Sequence, residues 1–155
     1  MMSFIGSGFS WFLSHTWPAV NQWTHGTLVT AMHGHLAFWG AYAMLVLAVI
    51  SYAMPNMTGR KLFTGMSGYL AFWASNIGML GMTGALAVAG ITQVYLERKL
   101  GMDFLVVQKE IIFHFYGMLL AATLFTIGIT YFIVDFIRHG LPSNEALGKN
   151  VGDLD

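Results

Sequence analysis

Residues 24–40 read THGTLVTAMHGHLAFWG, and this stretch decides the fold because it opens a long apolar run. From residue 27 to residue 54 the chain carries no Asp, Glu, Lys or Arg. A helix that spans a bilayer needs about 20 predominantly apolar residues, and this run is long enough. Polar and apolar residues do not alternate along it, as they would in a half-buried strand. The stretch therefore predicts a transmembrane helix that stops at Pro55 and Asn56.

The composition of the whole chain agrees with a membrane setting. Of its 155 residues 56% are hydrophobic and 9% are charged, whereas a soluble domain has about 25% charged residues. So few polar side chains would not cover a water-facing surface, and the chain is therefore expected to be integral to the bilayer. The formal net charge of zero gives no reason to expect nucleic acid as a partner. Cysteine is absent, which leaves histidine as the side chain suited to a transition metal.

Two further segments are long enough to cross a membrane. One lies between Lys61 and Glu97, with no charged residue between them, and the other covers residues 111–137 and is closed by Arg138 and His139. The fold class predicted is all-α, a polytopic membrane protein with three transmembrane helices.

The first 26 residues are interpreted as the end of a helix followed by an interfacial segment. They are uncharged, contain Pro18, and place three tryptophans, a residue that favours the membrane–water interface, at Trp11, Trp17 and Trp23. The predicted division is therefore 1–26 interfacial, 27–140 transmembrane and 141–155 a polar C-terminal tail. The side of the membrane that holds this tail carries slightly more basic residues than the other side, which favours a cytoplasmic C-terminus.

Small residues mark one face of the second predicted span. Gly78, Gly81 and Gly84 are followed by Ala85 and Ala89 at helical spacing, and such residues let helix backbones approach closely. The stripe suits packing within this chain and docking onto a partner helix equally well.

His33 and His35 are the residues that suggest chemistry, because ionisable side chains within a membrane helix are costly and usually functional. Residues two positions apart on a helix point about 200° away from each other, with about 3 Å of axial rise between them. The two imidazoles therefore cannot hold one ion from the same face, but they can serve two separate centres. Haem suits this geometry, since its iron takes an axial imidazole and its macrocycle can lie against an apolar helix. The alternative is that both histidines hydrogen-bond to neighbouring helices.

The run from His33 to Tyr42, HGHLAFWGAY, resembles the tenth transmembrane helix of the large subunit of cytochrome c-dependent nitric oxide reductases, in the haem–copper oxidase superfamily. The preceding residues 24–27, THGT, and the later residues 93–96, QVYL, with Leu100-Gly101, are similar as well. The resemblance extends over residues 4–137. It implies that the chain corresponds to the end of the ninth helix and to helices ten to twelve of a twelve-helix bundle.

The resemblance also implies roles for individual residues. His33 corresponds to the proximal ligand of the high-spin haem b of the catalytic centre, and His35 to an axial ligand of the low-spin haem b. His25 corresponds to a region near the haem propionates, where an imidazole could bind a propionate; an interfacial histidine that faces water is the alternative. Calcium between the propionates is a further cofactor that the resemblance implies.

Other elements of the family are missing from this sequence. The second axial ligand of the low-spin haem is absent, as are the three histidines and the glutamate that hold the non-haem iron. The resemblance therefore implies a partner chain that carries helices one to nine, together with a cytochrome c subunit. Either the gene is split or the sequence is a fragment, and the opening Met1-Met2 favours a split gene.

The function expected from the resemblance is a share in nitric oxide reduction, in the bacterial cytoplasmic (inner) membrane, by a complex rather than by this chain alone. Two NO molecules, two electrons and two protons would give N2O and water. The alternatives are a sister oxygen reductase or NO dismutase, a non-catalytic membrane cytochrome b, and a packing subunit without haem.

Overall fold

The computed structural model describes residues 18–59 and 65–139, and every regular element in these ranges is a helix. The four helices, in chain order, are α1 Pro18–Thr24, α2 Leu28–Thr58, α3 Gly65–Lys99 and α4 Phe104–His139. Helices α2, α3 and α4 are long and apolar enough to cross a membrane. The predicted all-α fold with three spans is therefore confirmed. Trp11, Trp17 and the tail 141–155 lie outside the described residues, and the division into three regions stays a prediction.

Helix α3 lies at the centre of the bundle. In its most apolar window 44% of the residues are buried, compared with 17% in α2 and 11% in α4. One core cluster joins Trp39 of α2 to Met79 and Met82 of α3 and is covered by Phe125 of α4. A second cluster contains Ala89, Val107 and Ile111. The outer helices α2 and α4 therefore keep large apolar surfaces free for lipid or for other helices.

Glycines bring α3 and α4 close together. A Cβ atom added at Gly78 would collide with the backbone of Phe125, and one added at Gly128 would collide with the backbone of Ser75. At Gly81 the added Cβ would lie 2.8 Å from the Cβ of Ala121, whereas at Gly84 it would meet nothing within 4 Å. Contacts within this chain therefore account for Gly78 and Gly81, while Gly84 faces open space.

The end of α2 differs from the prediction, because Pro55 lies inside the helix instead of stopping it. A proline removes one backbone hydrogen bond, here the one to the carbonyl of Ser51, and its ring crowds that carbonyl, which usually kinks or ends a helix. The helix runs on to Thr58, whose hydroxyl donates to the Met54 carbonyl at 2.8 Å. It ends at Gly59, which takes the left-handed conformation with φ of 70°.

Helix α4 begins earlier than the predicted span, at Phe104 and not near Ile111. Asp103 explains the earlier start, since its carboxylate accepts from the backbone N–H of Leu105 at 2.9 Å. Its backbone carbonyl accepts from Val107 at 3.1 Å. A capping side chain thus lets the helix include a polar turn that hydropathy alone places outside the span.

Candidate functional site

Both candidate ligands lie on the regular α-helical part of α2, Leu28–Ala37. Directly after it, Phe38–Ala43 forms a π-helical segment before α-helical geometry resumes at Met44. Because the helix is regular at His33 and His35, their two side chains leave it on opposite sides. A π-helical segment inserts an extra residue into a helix and often occurs at functional sites.

His35 is exposed, and its ring is held by its own helix. Its Nδ1 atom lies 2.8 Å from the backbone carbonyl oxygen of Ala31. A carbonyl oxygen only accepts, so Nδ1 carries the proton in this hydrogen bond. In the neutral ring Nε2 then has a lone pair available, and this is the tautomer that a metal-binding histidine adopts when its other nitrogen donates to a carbonyl.

His35 opens onto an apolar groove of about 780 Å³ that all three long helices line. This volume falls within the range of small-molecule and cofactor sites, roughly 300–1,000 Å³. The groove is lined by Ala31, Gly34, His35, Phe38, Trp39 and Ala43 of α2, by Met79 and Met82 of α3, and by Phe125 and Ile129 of α4. A Cβ added at Gly34 would meet nothing within 4 Å, so the backbone beside His35 is open to a bulky group.

Trp39 is a buried residue in the lining of this groove. It is 5% exposed, and its ring meets that of Phe125 edge-on at a centroid distance of 4.9 Å. Its indole Nε1 is buried and has no hydrogen-bond partner among the described residues. Phe38 and Trp39 line the groove, whereas the neighbouring Leu36 is buried and does not.

His33 is half-buried and is not one of the residues that line the groove beside His35. His25 is exposed and lies in the turn between α1 and α2, where its backbone N–H donates to the carbonyl of Asn21 at 2.9 Å. The next residue, Gly26, has a φ of 75° and lies in the same turn. His25 does not line the groove either. The structure thus brings one of the three candidate residues, His35, to the groove.

No group of three or more His, Asp or Glu side chains within residues 18–59 and 65–139 is placed to hold a metal ion together. An axial ligand of haem acts singly, so a haem site does not require such a group.

Sequence reasoning missed Gln93 as a structural residue of the site. Its Oε1 atom accepts from the backbone N–H of Leu28, the first residue of α2, at 3.0 Å. Its Nε2 atom donates to Oε1 of Glu97 at 3.0 Å. The sequence did contain a signal for Gln93. It is the only carboxamide side chain between Asn76 and the charged end of α3, in a mainly apolar run.

Asp135 was also missed, although it lies within the predicted third span. It is buried, and the hydroxyl of Ser67 donates to its carboxylate at 3.5 Å. The two residues and Arg138 line a separate groove of about 700 Å³ along α4. This second groove shares no lining residue with the one beside His35.

Comparisons with known proteins agree with the resemblance in the sequence. The family model described as "Cytochrome C and Quinol oxidase polypeptide I" matches residues 1–126. The chain is 36% identical over 146 residues to a nitric oxide reductase subunit of Stutzerimonas stutzeri. That alignment covers 89% of this chain and 31% of the relative, so the chain spans about a third of the length of the curated relative it matches. On the match over most of its length, the chain belongs to the cytochrome c and quinol oxidase polypeptide I family, within the haem–copper oxidase superfamily.

Proposed function

We propose that this chain supplies axial histidines to two b-type haems of a membrane nitric oxide reductase, His33 to the high-spin haem and His35 to the low-spin haem. The haems, when bound, supply the redox chemistry by which two NO molecules, two electrons and two protons become N2O and water. The part of this chain is to hold each macrocycle by one imidazole and to fix the spacing between the two. The relative that carries the name of a nitric oxide reductase supports this reaction over others.

The observation that carries the proposal is the position of His35. Its Nδ1 donates to the Ala31 carbonyl, which leaves Nε2 as the ligand atom, and the ring stands at the edge of an apolar groove. A porphyrin is a flat apolar body, so it needs apolar side chains on its faces and one strong axial donor. Phe38, Met79 and Met82 supply the apolar side chains, and His35 supplies the axial donor.

The placement of His33 fits a second, separate centre. It leaves the same helix two residues earlier and does not line the groove of His35. Two haems on opposite sides of one helix would keep electron transfer from the low-spin to the high-spin site short. His25, at the exposed turn before α2, would then bind a propionate, with calcium between the propionates as a further cofactor.

The rest of the centre would come from outside this sequence. The coverage of 31% of the relative supports a partner segment that carries spans one to nine, the remaining axial ligand and the ligands of the non-haem iron. A cytochrome c subunit would deliver the electrons, and the complex would be in the cytoplasmic (inner) membrane with the C-terminus of this chain in the cytoplasm. We infer that this chain alone is inactive.

The proposal is tested by optical and EPR spectra of the purified complex that contains this chain, together with its NO turnover. His33→Ala should abolish turnover and the high-spin signal while the low-spin signal persists. His35→Ala should remove the low-spin signal. His114→Ala is a matched control, since His114 is a half-buried histidine of α4 whose Nδ1 lies 3.3 Å from the Ile111 carbonyl and which does not line the groove. A wild-type complex without haem, or equal effects of all three variants, would refute the assignment.

The second candidate function is that of a related oxygen reductase, because the description of the matching family names oxidases. Turnover of the same purified complex with O2 and with NO separates the two. Rapid O2 consumption with no N2O formation would favour an oxygen reductase, and a complex with low-spin haem alone would favour a non-catalytic cytochrome b.

A further inference from the structure

The first turn of α2 is held by the neighbouring helix as well as by its own cap. The first N–H groups of any helix lack partners within the helix. Thr27 caps α2 in the usual way, since its hydroxyl accepts from the N–H of Val29 at 3.3 Å. The N–H of Leu28 is bound instead by Oε1 of Gln93 on α3, 65 residues away, at 3.0 Å.

Gln93 is itself fixed in one orientation. It is 4% exposed, and its Nε2 donates to the carboxylate of Glu97 at 3.0 Å. A carboxylate only accepts and a backbone N–H only donates, so reversal of the carboxamide would break both hydrogen bonds. Gln93 therefore links the start of α2 to the charged end of α3 through two specific contacts.

The backbones of α2 and α3 also touch at this point. A Cβ added at Gly90 would lie 2.5 Å from the backbone nitrogen of Val29. Any larger residue at position 90 would push the first turn of α2 away from α3. We define the α2–α3 joint as Leu28, Val29, Gly90, Gln93 and Glu97.

We infer that Gln93 is a positioning residue for the two histidines: the joint sets the height and rotation of α2 against α3. His33 lies five residues after Leu28, about 7.5 Å along a continuous α-helix, so a shift of the first turn is transmitted to both imidazoles. The orientation of an axial imidazole affects the electronic structure of the haem it binds, and small misplacements far from the chemistry can lower rates by up to about 100-fold. The effect on haem rests on the proposed function, whereas the joint itself does not.

The experiment uses the assembled complex with substitutions at the joint and matched controls elsewhere on α3. Gln93→Met removes both hydrogen bonds at nearly constant volume. The double variant Gln93→Glu with Glu97→Gln exchanges amide and carboxylate and so can form both hydrogen bonds again. Thr92→Val is the control for loss of a polar group, because the Thr92 hydroxyl bonds only within its own helix, to Val88. Gly90→Ala is compared with Gly84→Ala, where an added Cβ meets nothing within 4 Å.

Two readouts separate the joint from the haem. Amide hydrogen exchange of Leu28 reports the hydrogen bond whether or not haem is present, and the EPR g-values of the low-spin haem report the imidazole. Gln93→Met should speed exchange at Leu28 about fivefold, the effect of one net hydrogen bond, and should shift the g-values. Gly90→Ala should shift the g-values as well. The exchanged pair should restore both readouts, and Thr92→Val and Gly84→Ala should leave them unchanged.

Unchanged exchange at Leu28 in Gln93→Met would overturn the inference, with or without haem in the sample. Faster exchange without any change of g-values would overturn the positioning role. Loss of haem in Gln93→Met that the exchanged pair does not restore would also overturn it. Absence of haem from the wild-type complex contradicts the proposed function and, with it, the positioning role, while the exchange readout still decides whether the joint exists.

Discussion

The two halves of α2 are similarly apolar but have very different surroundings. Residues 28–43 include both histidines and the π-helical segment. Leu36, Trp39 and Gly40 are buried there, and Trp39 packs against α3 and α4. In the second half, Met44–Thr58, only Thr58 is buried, and the large apolar side chains Leu45, Val46, Val49, Tyr52 and Met57 are exposed. Hydropathy places both halves in the membrane, but among the described residues the half that carries the histidines holds most of the packing, and the second half reaches the core cluster through Met44 and Leu47.

The contrast has a physical cause. Lipid tails are as apolar as leucine, so burial against another helix gains little from hydrophobic transfer and depends on close packing instead. Residues 28–43 have such packing partners in Gly90, Met79 and Phe125. The second half extends beyond the core cluster after Leu47 and has a surface suited to lipid or to helices outside this chain.

The largest effect is expected from Trp39→Ala. Trp39 is 5% exposed and packs edge-on against Phe125, so its loss leaves a cavity between three helices. Replacing a buried large aromatic residue by alanine costs about 3–5 kcal/mol of unfolding free energy in soluble cores, and the cavity part of that cost applies in a membrane as well. Unfolding by SDS titration, followed by circular dichroism, measures it.

The control for this variant comes from the same π-helical segment. Tyr42 is 67% exposed, so Tyr42→Ala should change the unfolding free energy by less than about 0.5 kcal/mol. Equal effects at Trp39 and Tyr42 would show that both sides of the segment are packed in the complex, and the contrast between the two halves would then not begin at this segment.

A smaller effect is expected when the groove beside His35 is filled. Gly34→Leu adds a side chain at a residue that lines the groove, and its Cβ would meet nothing within 4 Å. Crowding of a well-packed site costs about 1–3 kcal/mol, here in the free energy with which the complex binds the proposed low-spin haem. The ratio of low-spin haem to protein measures it.

Gly84→Leu is the matched variant, because Gly84 is also open but does not line the groove. It should leave the haem ratio unchanged. Full haem occupancy in Gly34→Leu would mean that the groove is not the haem site, whatever the role of His35.

These variants also indicate what the sequence could and could not predict. Three spans, their order and the helical setting of His33 and His35 follow from long apolar runs, which depend on composition alone. The helix ends do not, because Asp103 starts α4 early through a capping hydrogen bond and Pro55 is tolerated one turn before Gly59. Such helix ends depend on contacts of single side chains, and a hydropathy average over many residues does not detect them.

The site was predictable in part for a related reason. The spacing of the two histidines is local and can be derived from helix geometry, and the resemblance to nitric oxide reductases added roles for them. The bond from Gln93 to Leu28 and the approach of Gly90 to Val29 join residues more than 60 positions apart. Contacts at that separation depend on how the helices pack, which one sequence does not specify.

Thr27→Val should lower the unfolding free energy moderately, because Thr27 caps the half of α2 that carries the histidines. The hydroxyl of Thr27 accepts from the N–H of Val29 and donates to the carbonyl of Thr24 at 2.6 Å, and valine keeps the shape without either bond. Loss of an N-cap costs about 0.5–2 kcal/mol, and the SDS titration measures it. Thr123→Val is the control, since its hydroxyl bonds only to Leu119 in its own helix and is exposed. A cost for Thr27→Val no greater than for the control would mean that Gln93 holds the helix start without help from the cap.

The smallest effect is expected from Leu45→Ala, in the exposed half of α2. Leu45 is 62% exposed, and the same substitution at Leu36, which is 6% exposed, serves as its partner in the packed half. Leu36→Ala should cost about 1 kcal/mol or more because of the cavity it leaves, while Leu45→Ala should stay below about 0.5 kcal/mol because lipid fills the space that the side chain leaves. SDS titration of the complex measures the unfolding free energy of both variants. A cost above about 1 kcal/mol at Leu45 would mean that a segment outside the described residues packs on the second half, so the asymmetry of α2 would not hold in the assembled complex.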